Sequence, residues 1–244
     1  LVDDVSFDVK RGEVLAIAGV QGNGQTELTE AIVGVQSGVQ GSVKLNGTEL
    51  VGRTVRDILD EGVGFVPEDR SVDGLVKEFS VAENMMLDRS HGEPFVKAGT
   101  LQLGALNEFS KGKIAEFDIR TQGPQQAAGS LSGGNQQKVV IARELSRDLQ
   151  LFVAAQPTRG VDVGSIEFIH QRVIETRDSG VPVIVISTEL DEVTALADRI
   201  MVMYRGKVVG IVPGNTSRDK LGLMMAGVTD EVPSEHTQNE GAQA

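Results

Sequence analysis

The sequence predicts an α/β fold with a mostly parallel sheet. Short apolar runs at residues 13–19, 63–66, 149–154 and 181–187 read as buried strands, and helical patterns separate them. A glycine-rich turn, GVQGNGQT from Gly19 to Thr26, links the first run to the first helix. Buried strands alternating with helices imply right-handed crossovers and a parallel sheet.

The elements follow in order. Residues 5–9 alternate apolar and polar, Arg11-Gly12 makes a turn, and EVLAIAG at 13–19 is the first buried strand. A helix starts near Gly24 and runs through Leu28 and Ile32 to Gly34. Residues 42–45 followed by Asn46-Gly47 read as a strand entering a hairpin turn. Thr54 is placed to cap a short helix over 54–59. From about 77 to 144 β-branched runs thin out and helical patterns at 81–87, 103–117 and 135–145 take over, broken by a glycine-rich connector at 123–134. That stretch reads as an inserted helical subdomain. Strand 149–154, helix 165–178, strand 181–187 and helix 190–197 restore the alternation. A hairpin of 200–204 with 208–212 about Arg205-Gly206 closes it. Residues 229–244, polar and acidic, read as a disordered tail or inter-domain junction.

Composition excludes several functions. The chain has 244 residues, 23 basic and 35 acidic, for a formal charge of −12. Its length fits one large domain or a core with a subdomain, since domains hold about 50–250 residues. With no cysteine there is no disulfide framework, thiolate zinc site or cysteine nucleophile. His91, His170 and His236 are scattered, which speaks against a histidine metal site. The acidic balance argues against a nucleic-acid partner, which needs clustered positive charge. The longest apolar run, 181–186, falls far short of the ~18 residues of a membrane span. The opening Leu1, with no basic-then-apolar segment after it, suggests a cytosolic piece of something longer.

The turn from Gly19 to Thr26 has the spacing of a phosphate loop, with Gln25 where Lys belongs. Glycines let successive N–H groups point inward, and the following helix N-terminus adds its positive end. Gly19, Gln21, Gly22, Asn23, Gly24, Gln25, Thr26 and Glu27 are therefore candidate nucleotide-binding residues, and the Thr26 hydroxyl is a candidate Mg²⁺ ligand. Without the lysine the motif taken alone is equally a plain strand–helix turn.

Downstream motifs decide between the two. LSGGNQQK at 131–138 resembles the signature sequence of ABC-transporter ATPase domains, and its NQQK ending resembles the branch that imports sugars and nucleosides. VGFVPEDR at 63–70 resembles the Q-loop region, with Glu68 in place of the usual Gln. LFVAAQPTRGVDVG at 151–164 resembles the second nucleotide motif and D-loop, and VIVISTELDE at 183–192 the switch-histidine segment. The resemblance runs from residue 1 to about 228. It implies a P-loop NTPase core, an antiparallel β portion from the N-terminal and closing strands, and a signature-bearing helical subdomain near 77–145. The cofactors implied are ATP and Mg²⁺, the metal held weakly or not at all in this domain's own site.

The departures from that family carry the functional expectation. Where its members have Asp-Glu, to anchor Mg²⁺ and polarise the attacking water, this chain has Ala155 and Gln156. A methyl cannot bind a metal and a neutral amide cannot accept a proton. Thr188 replaces the switch histidine, and Gln25 removes the phosphate-neutralising cation, a loss of about 1–3 kcal/mol in nucleotide affinity. Glu68 is the exception, a carboxylate that can still reach a metal. The resemblance further implies that two domains meet head to tail, each signature closing over the other's nucleotide. Ser132, Gly133 and Gly134 would then serve the partner's site, and Asp162, in the D-loop, would communicate between sites. The pattern resembles the C-terminal, degenerate half of a simple-sugar or nucleoside importer. It pairs with an N-terminal half on the same or a sister chain, binds integral-membrane permease subunits at the cytoplasmic face of the bacterial plasma membrane, and is monomeric alone. Coupling to the permease is expected at the groove after the Q-loop and the helical subdomain, where Phe79, Val81, Met85 and Met86 are candidates for an exposed apolar patch, with packing inside the subdomain as the alternative for Met85 and Met86. The adenine-stacking aromatic falls upstream of Leu1, while Tyr204 and Phe7 read as packing residues. A self-sufficient ATPase homodimer and a non-transport nucleotide-binding module are the rival readings.

Overall fold

The computed structural model describes residues 2–228; the expected tail at 229–244 lies outside them. The glycine loop joins β1 (Val14–Ala18) to α1 (Gln25–Ile32). A two-stranded hairpin, β2 (Lys44–Leu45) and β3 (Thr48–Glu49), turns at Asn46 and Gly47 with φ of 49° and 86°. Both turn positions need positive φ, which accounts for the Asn-Gly pair. Then come α2 (Val55–Asp60), capped by Thr54 as expected, and β4 (Val63–Val66).

The helical subdomain holds α3 (Val81–Met86), a small hairpin of β5 (Val96–Lys97) and β6 (Thr100–Leu101), α4 (Leu103–Glu116) and α5 (Gly133–Glu144). The core resumes with β7 (Leu151–Ala155), α6 (Val163–Asp178), β8 (Val183–Ser187), α7 (Leu190–Leu196), β9 (Arg199–Tyr204), β10 (Lys207–Pro213) and α8 (Arg218–Met225).

Among the described residues the main sheet has six strands in the order β10-β9-β1-β8-β7-β4. All neighbours are parallel except β10, which runs antiparallel to β9. Alternation along the strands divides the core. Leu15, Ile17, Val153 and Ile184 pack with Leu28 and Ile32 of α1. Val14, Phe152, Ala154 and Val183 pack with Val139 and Val140 of α5 and Ile169 of α6. The central strands are buried on both faces, as a sheet covered by helices on each side requires. Because β1, β7 and β8 lie side by side, their C-terminal ends bring residues from distant motifs to one edge.

Two local expectations are corrected. Residues 5–9 form no strand, yet Val5, Phe7 and Val9 pack against the core, so the alternation marked a buried face without ladder bonds. Of the candidate apolar patch Phe79 stays exposed, at 42 %, while Val81 is fully buried against expectation and Met85 takes the inward-packing alternative. The capping box of Ser80 and Glu83 aims Val81 and Met85 into the subdomain core. One element was not anticipated. α8 is short and carries Gly222, but its Leu221, Met224 and Met225 bury against Ile200 and Val202 of β9.

Candidate nucleotide site

The loop is built by close approach. Gly22 and Gly24 have φ of 86° and 101°, a conformation that suits glycine. A Cβ on Gly19 would stand 2.3 Å from Gln25 Nε2, because the Gln25 side chain folds back beneath the loop. There its amide donates to the Val20 carbonyl at 3.3 Å, and the residue is 6 % exposed. Asn23 faces the other way: its Oδ1 accepts from Arg205 N at 3.0 Å, hanging the loop on the β9–β10 turn. Glu27 sits in the first turn of α1.

Around this loop lies a cavity of about 400 Å³. Gln21, Gly22, Gln25 and Thr26 line it from the loop and α1; Glu68 follows β4, and Ala155, Gln156 and Thr188 come from the ends of β7 and β8. Parallel strand ends thus bring together segments far apart in sequence, at the edge where α/β sheets bind ligands.

The oxygen chemistry fits a hard cation held jointly with phosphate. Thr26 Oγ1 donates to Glu68 Oε2 at 3.3 Å, placing a hydroxyl and a carboxylate side by side. Mg²⁺ is commonly bound by one or two protein carboxylates completed by substrate phosphates. Ala155 offers only a methyl there, so Thr26 and Glu68 are the residues that would hold Mg²⁺ accompanying a nucleotide. Among the described residues no group of three or more His, Asp or Glu could hold a metal unaided.

Gln156 has φ of 48°, and its N–H donates to Ile186 O at 2.7 Å. Its side-chain amide meets Thr188: Nε2 donates to Thr188 Oγ1 at 3.4 Å, and Thr188 N donates to Gln156 Oε1 at 3.5 Å. Two neutral groups thus face the cavity where the resembled family has a carboxylate and an imidazole.

Ser132, Gly133 and Gly134 lie elsewhere, at the start of α5. Ser132 caps the helix, its Oγ accepting from Asn135 N at 3.5 Å and also from Asn135 Nδ2 at 2.8 Å. A Cβ on Gly134 would stand 2.5 Å from Asp162 Oδ2 and 2.2 Å from Ser165 Oγ. The signature therefore packs directly on the N-terminus of α6. There Asp162 accepts from Ser165 N at 3.0 Å and Ser165 Oγ at 2.8 Å. Those bonds, the hydroxyl's first, hold the Asp162 carboxyl below the ordinary aspartate range. None of these four residues lines the cavity around the glycine loop.

The sequence profile of the ABC transporter family matches residues 2–159, more than half of the chain. The chain belongs to the ABC transporter ATP-binding family. Among relatives of this ABC domain, the nucleoside import ATP-binding protein NupA of Lactococcus lactis subsp. cremoris is 47% identical over 227 residues, covering 93% of this chain and 45% of that protein. The guanosine import ATP-binding protein NupO of Bacillus subtilis is 44% identical over 231 residues, covering 94% and 45%. The chain spans about half the length of these relatives. A dimeric ATP-binding cassette solved in a post-hydrolysis state with ADP and Pi superposes with a TM-score of 0.75. At 21% identity over 88% of this chain and 91% of that one, it confirms the fold.

Several groups at the ABC domain's site escaped the sequence reading. Arg159 Nη1 donates to Glu68 Oε1 at 2.6 Å. Arg70 reaches the same loop, donating to the carbonyls of Arg159 at 2.7 Å and Gly160 at 3.1 Å. The buried Glu192 accepts from Thr158 Oγ1 at 2.7 Å and lies 3.3 Å from His170 Nε2, tying the loop after β7 to α6 and α7. Arg159 stands inside the quoted motif at 151–164, but nothing in the chain's order reveals a partner 91 positions away.

Proposed function

We propose that this domain is the hydrolytically weak ATPase half of an ABC-type importer. Its own pocket takes ATP, with Mg²⁺ held weakly through Thr26 and Glu68, and turns it over very slowly. Its signature, Ser132 to Gly134, completes the site of a competent N-terminal half on the same or a sister chain. The observation that carries this reading is the Gln156–Thr188 pair beside Ala155. A formed pocket faces three side chains, none of which can bind a metal strongly, accept a proton or carry charge.

The solute is a nucleoside or a simple sugar, with nucleoside favoured by the likeness to the nucleoside import protein NupA and the guanosine import protein NupO. The permease subunits are integral-membrane partners, so the domain works peripherally at the cytoplasmic face. No helix among the described residues is long and apolar enough to cross a membrane. A groove of about 340 Å³ runs between the turn at Arg70–Gly74 and the helical subdomain, lined by Leu75, Leu87 and the 74 % exposed Val72. Asp73, Asp88, Arg143, Glu144 and Arg147 line it as well, so it offers a permease segment a seat of mixed apolar and charged character.

Co-purification tests the assignment. The importer reading expects an integral-membrane subunit and a second ATPase half to accompany the tagged protein from its native membrane. Recovery in a soluble assembly lacking any membrane subunit would support the non-transport module instead.

A further inference from the structure

The nucleotide pocket lacks a cation where an anion should bind. Its lining carries the carboxylates Glu30, Glu68 and Asp73 and no lysine or arginine. The Gln25 amide lies under the loop and brings no charge. A nucleoside triphosphate stays anionic even with a divalent cation bound, so a cation must come from somewhere else. A second cavity of about 630 Å³ shares Gln21, Glu68, Gln156 and Thr188 with the first, and its lining includes one guanidinium, that of Arg159.

Arg159 is positioned rather than loosely attached. Glu68 accepts from Arg159 Nη1 at 2.6 Å through one oxygen and from Thr26 Oγ1 at 3.3 Å through the other. A chain of contacts thus runs from the first turn of α1 to the loop after β7. The backbone under Arg159 is clamped, because Arg70 Nη1 holds its carbonyl at 2.7 Å and Arg70 Nη2 the next one at 3.1 Å. The side chain itself is 56 % exposed and can change partners.

We propose that Arg159 is the phosphate-binding cation of this site, replacing the lysine that Gln25 displaced. Glu68 holds the guanidinium in the cavity adjoining the glycine-loop pocket. With nucleotide bound, Glu68 would be free to hold Mg²⁺ together with Thr26, and the guanidinium would meet an oxygen of the terminal phosphate. The exchange conserves ion pairing, since each charged group leaves one partner for another of the same sign. A planar guanidinium suits the task because its fork matches phosphate oxygens. Arg159 shares its cavity with Gln156 and Thr188, which directs it to the terminal phosphate rather than the inner ones. The inference rests on the reading that this pocket takes nucleotide.

Isothermal titration of the chain with ATP and with ADP, each with Mg²⁺, tests it. Arg159→Ala is expected to bind ATP about tenfold more weakly while ADP changes by no more than about twofold, as loss of one charge-assisted contact to the terminal phosphate requires. Gln25→Lys added to Arg159→Ala should restore ATP affinity, because it returns a cation from the other side of the pocket. Equal ATP affinity in wild type and Arg159→Ala would overturn the proposal, as would an equal loss for ATP and ADP. Both of those results leave the pocket's assignment standing. Wild type that binds neither nucleotide, with Gln25→Lys binding both, would remove the assignment and the role of Arg159 together. Arg159→Gln, which keeps a donor but no charge, should behave as Arg159→Ala if charge is what matters.

Discussion

Gln156 and Thr188 hydrogen-bond to each other across the ends of β7 and β8, side chain to side chain at 3.4 Å and side chain to backbone at 3.5 Å. The carboxamide is thereby satisfied by its neighbour, and neither partner can take a proton from water. Gln156→Glu supplies one carboxylate to a pocket that still has a methyl at Ala155. Phosphate release from this site in the assembled importer is expected to stay within about threefold of wild type, because a base beside a weakly held metal contributes little. A large gain from this single change would mean that the missing base is the sole defect.

The signature separates the two sites. Ser132→Arg puts a long cation at the start of α5 and is expected to abolish ATP hydrolysis by the assembled importer, whereas Gln25→Ala should lower it only modestly. Steady-state phosphate release from the two variants checks the ranking, and the reverse order would contradict a signature acting across to the partner. Gly134→Ala should also impair hydrolysis and lower stability by about 1–3 kcal/mol in urea unfolding, since its Cβ meets Ser165 Oγ and Asp162 Oδ2 well inside contact distance.

Asn84 is fully buried and holds the loop that presents Phe79. Its Oδ1 accepts from Val76 N at 2.9 Å, and its Nδ2 donates to the carbonyls of Val76 at 2.9 Å and Ser80 at 3.0 Å. Asn84→Leu, at similar side-chain volume, leaves Val76 N without its partner, while the carbonyls of Val76 and Ser80 keep their bonds from Phe79 N and Asn84 N. Destabilisation of about 1–3 kcal/mol is expected. Denaturant midpoints at unchanged slope provide the check.

Glu49 sets an acid limit for the β2–β3 hairpin. Bonds from the Ser42 hydroxyl, then from Val43 N at 2.8 Å and Val51 N at 3.1 Å, lower its carboxyl from 4.5 to about 2. A depressed folded-state value means that the carboxylate's contribution is present above 4.5 and lost as pH falls toward about 2. The stability difference between wild type and Glu49→Gln should therefore shrink over that window. A difference independent of pH would assign the hairpin's stability to packing.

Much of the fold was legible because the informative segments are locally consistent. EVLAIAG, the Asn46-Gly47 turn and the Thr54 cap each state one conformation, and the structure adopts each of them. The failures come where a partner distant in sequence decides. Residues 5–9 alternate like a strand but find no ladder, and α8 exists because β9 offers it an apolar face. Met85 reads as surface or core with equal ease until the capping box fixes which way α3 faces. At the site, residue identities at 25, 68, 155, 156 and 188 could be read directly. The Glu68–Arg159 and Gln156–Thr188 pairs could not, because they exist only once β4, β7 and β8 are neighbours.

In the proposed assembly the pocket of this domain is a poor catalyst and its signature serves the partner half's site. Phosphate release should be measured from the chain alone at saturating Mg-ATP, then after adding an N-terminal half with intact catalytic residues. The expected result is silence alone and turnover on mixing that depends on Ser132. Steady turnover by the chain alone, abolished by Glu68→Gln, would contradict it, because Glu68 would then replace the acid missing at Ala155 and Gln156.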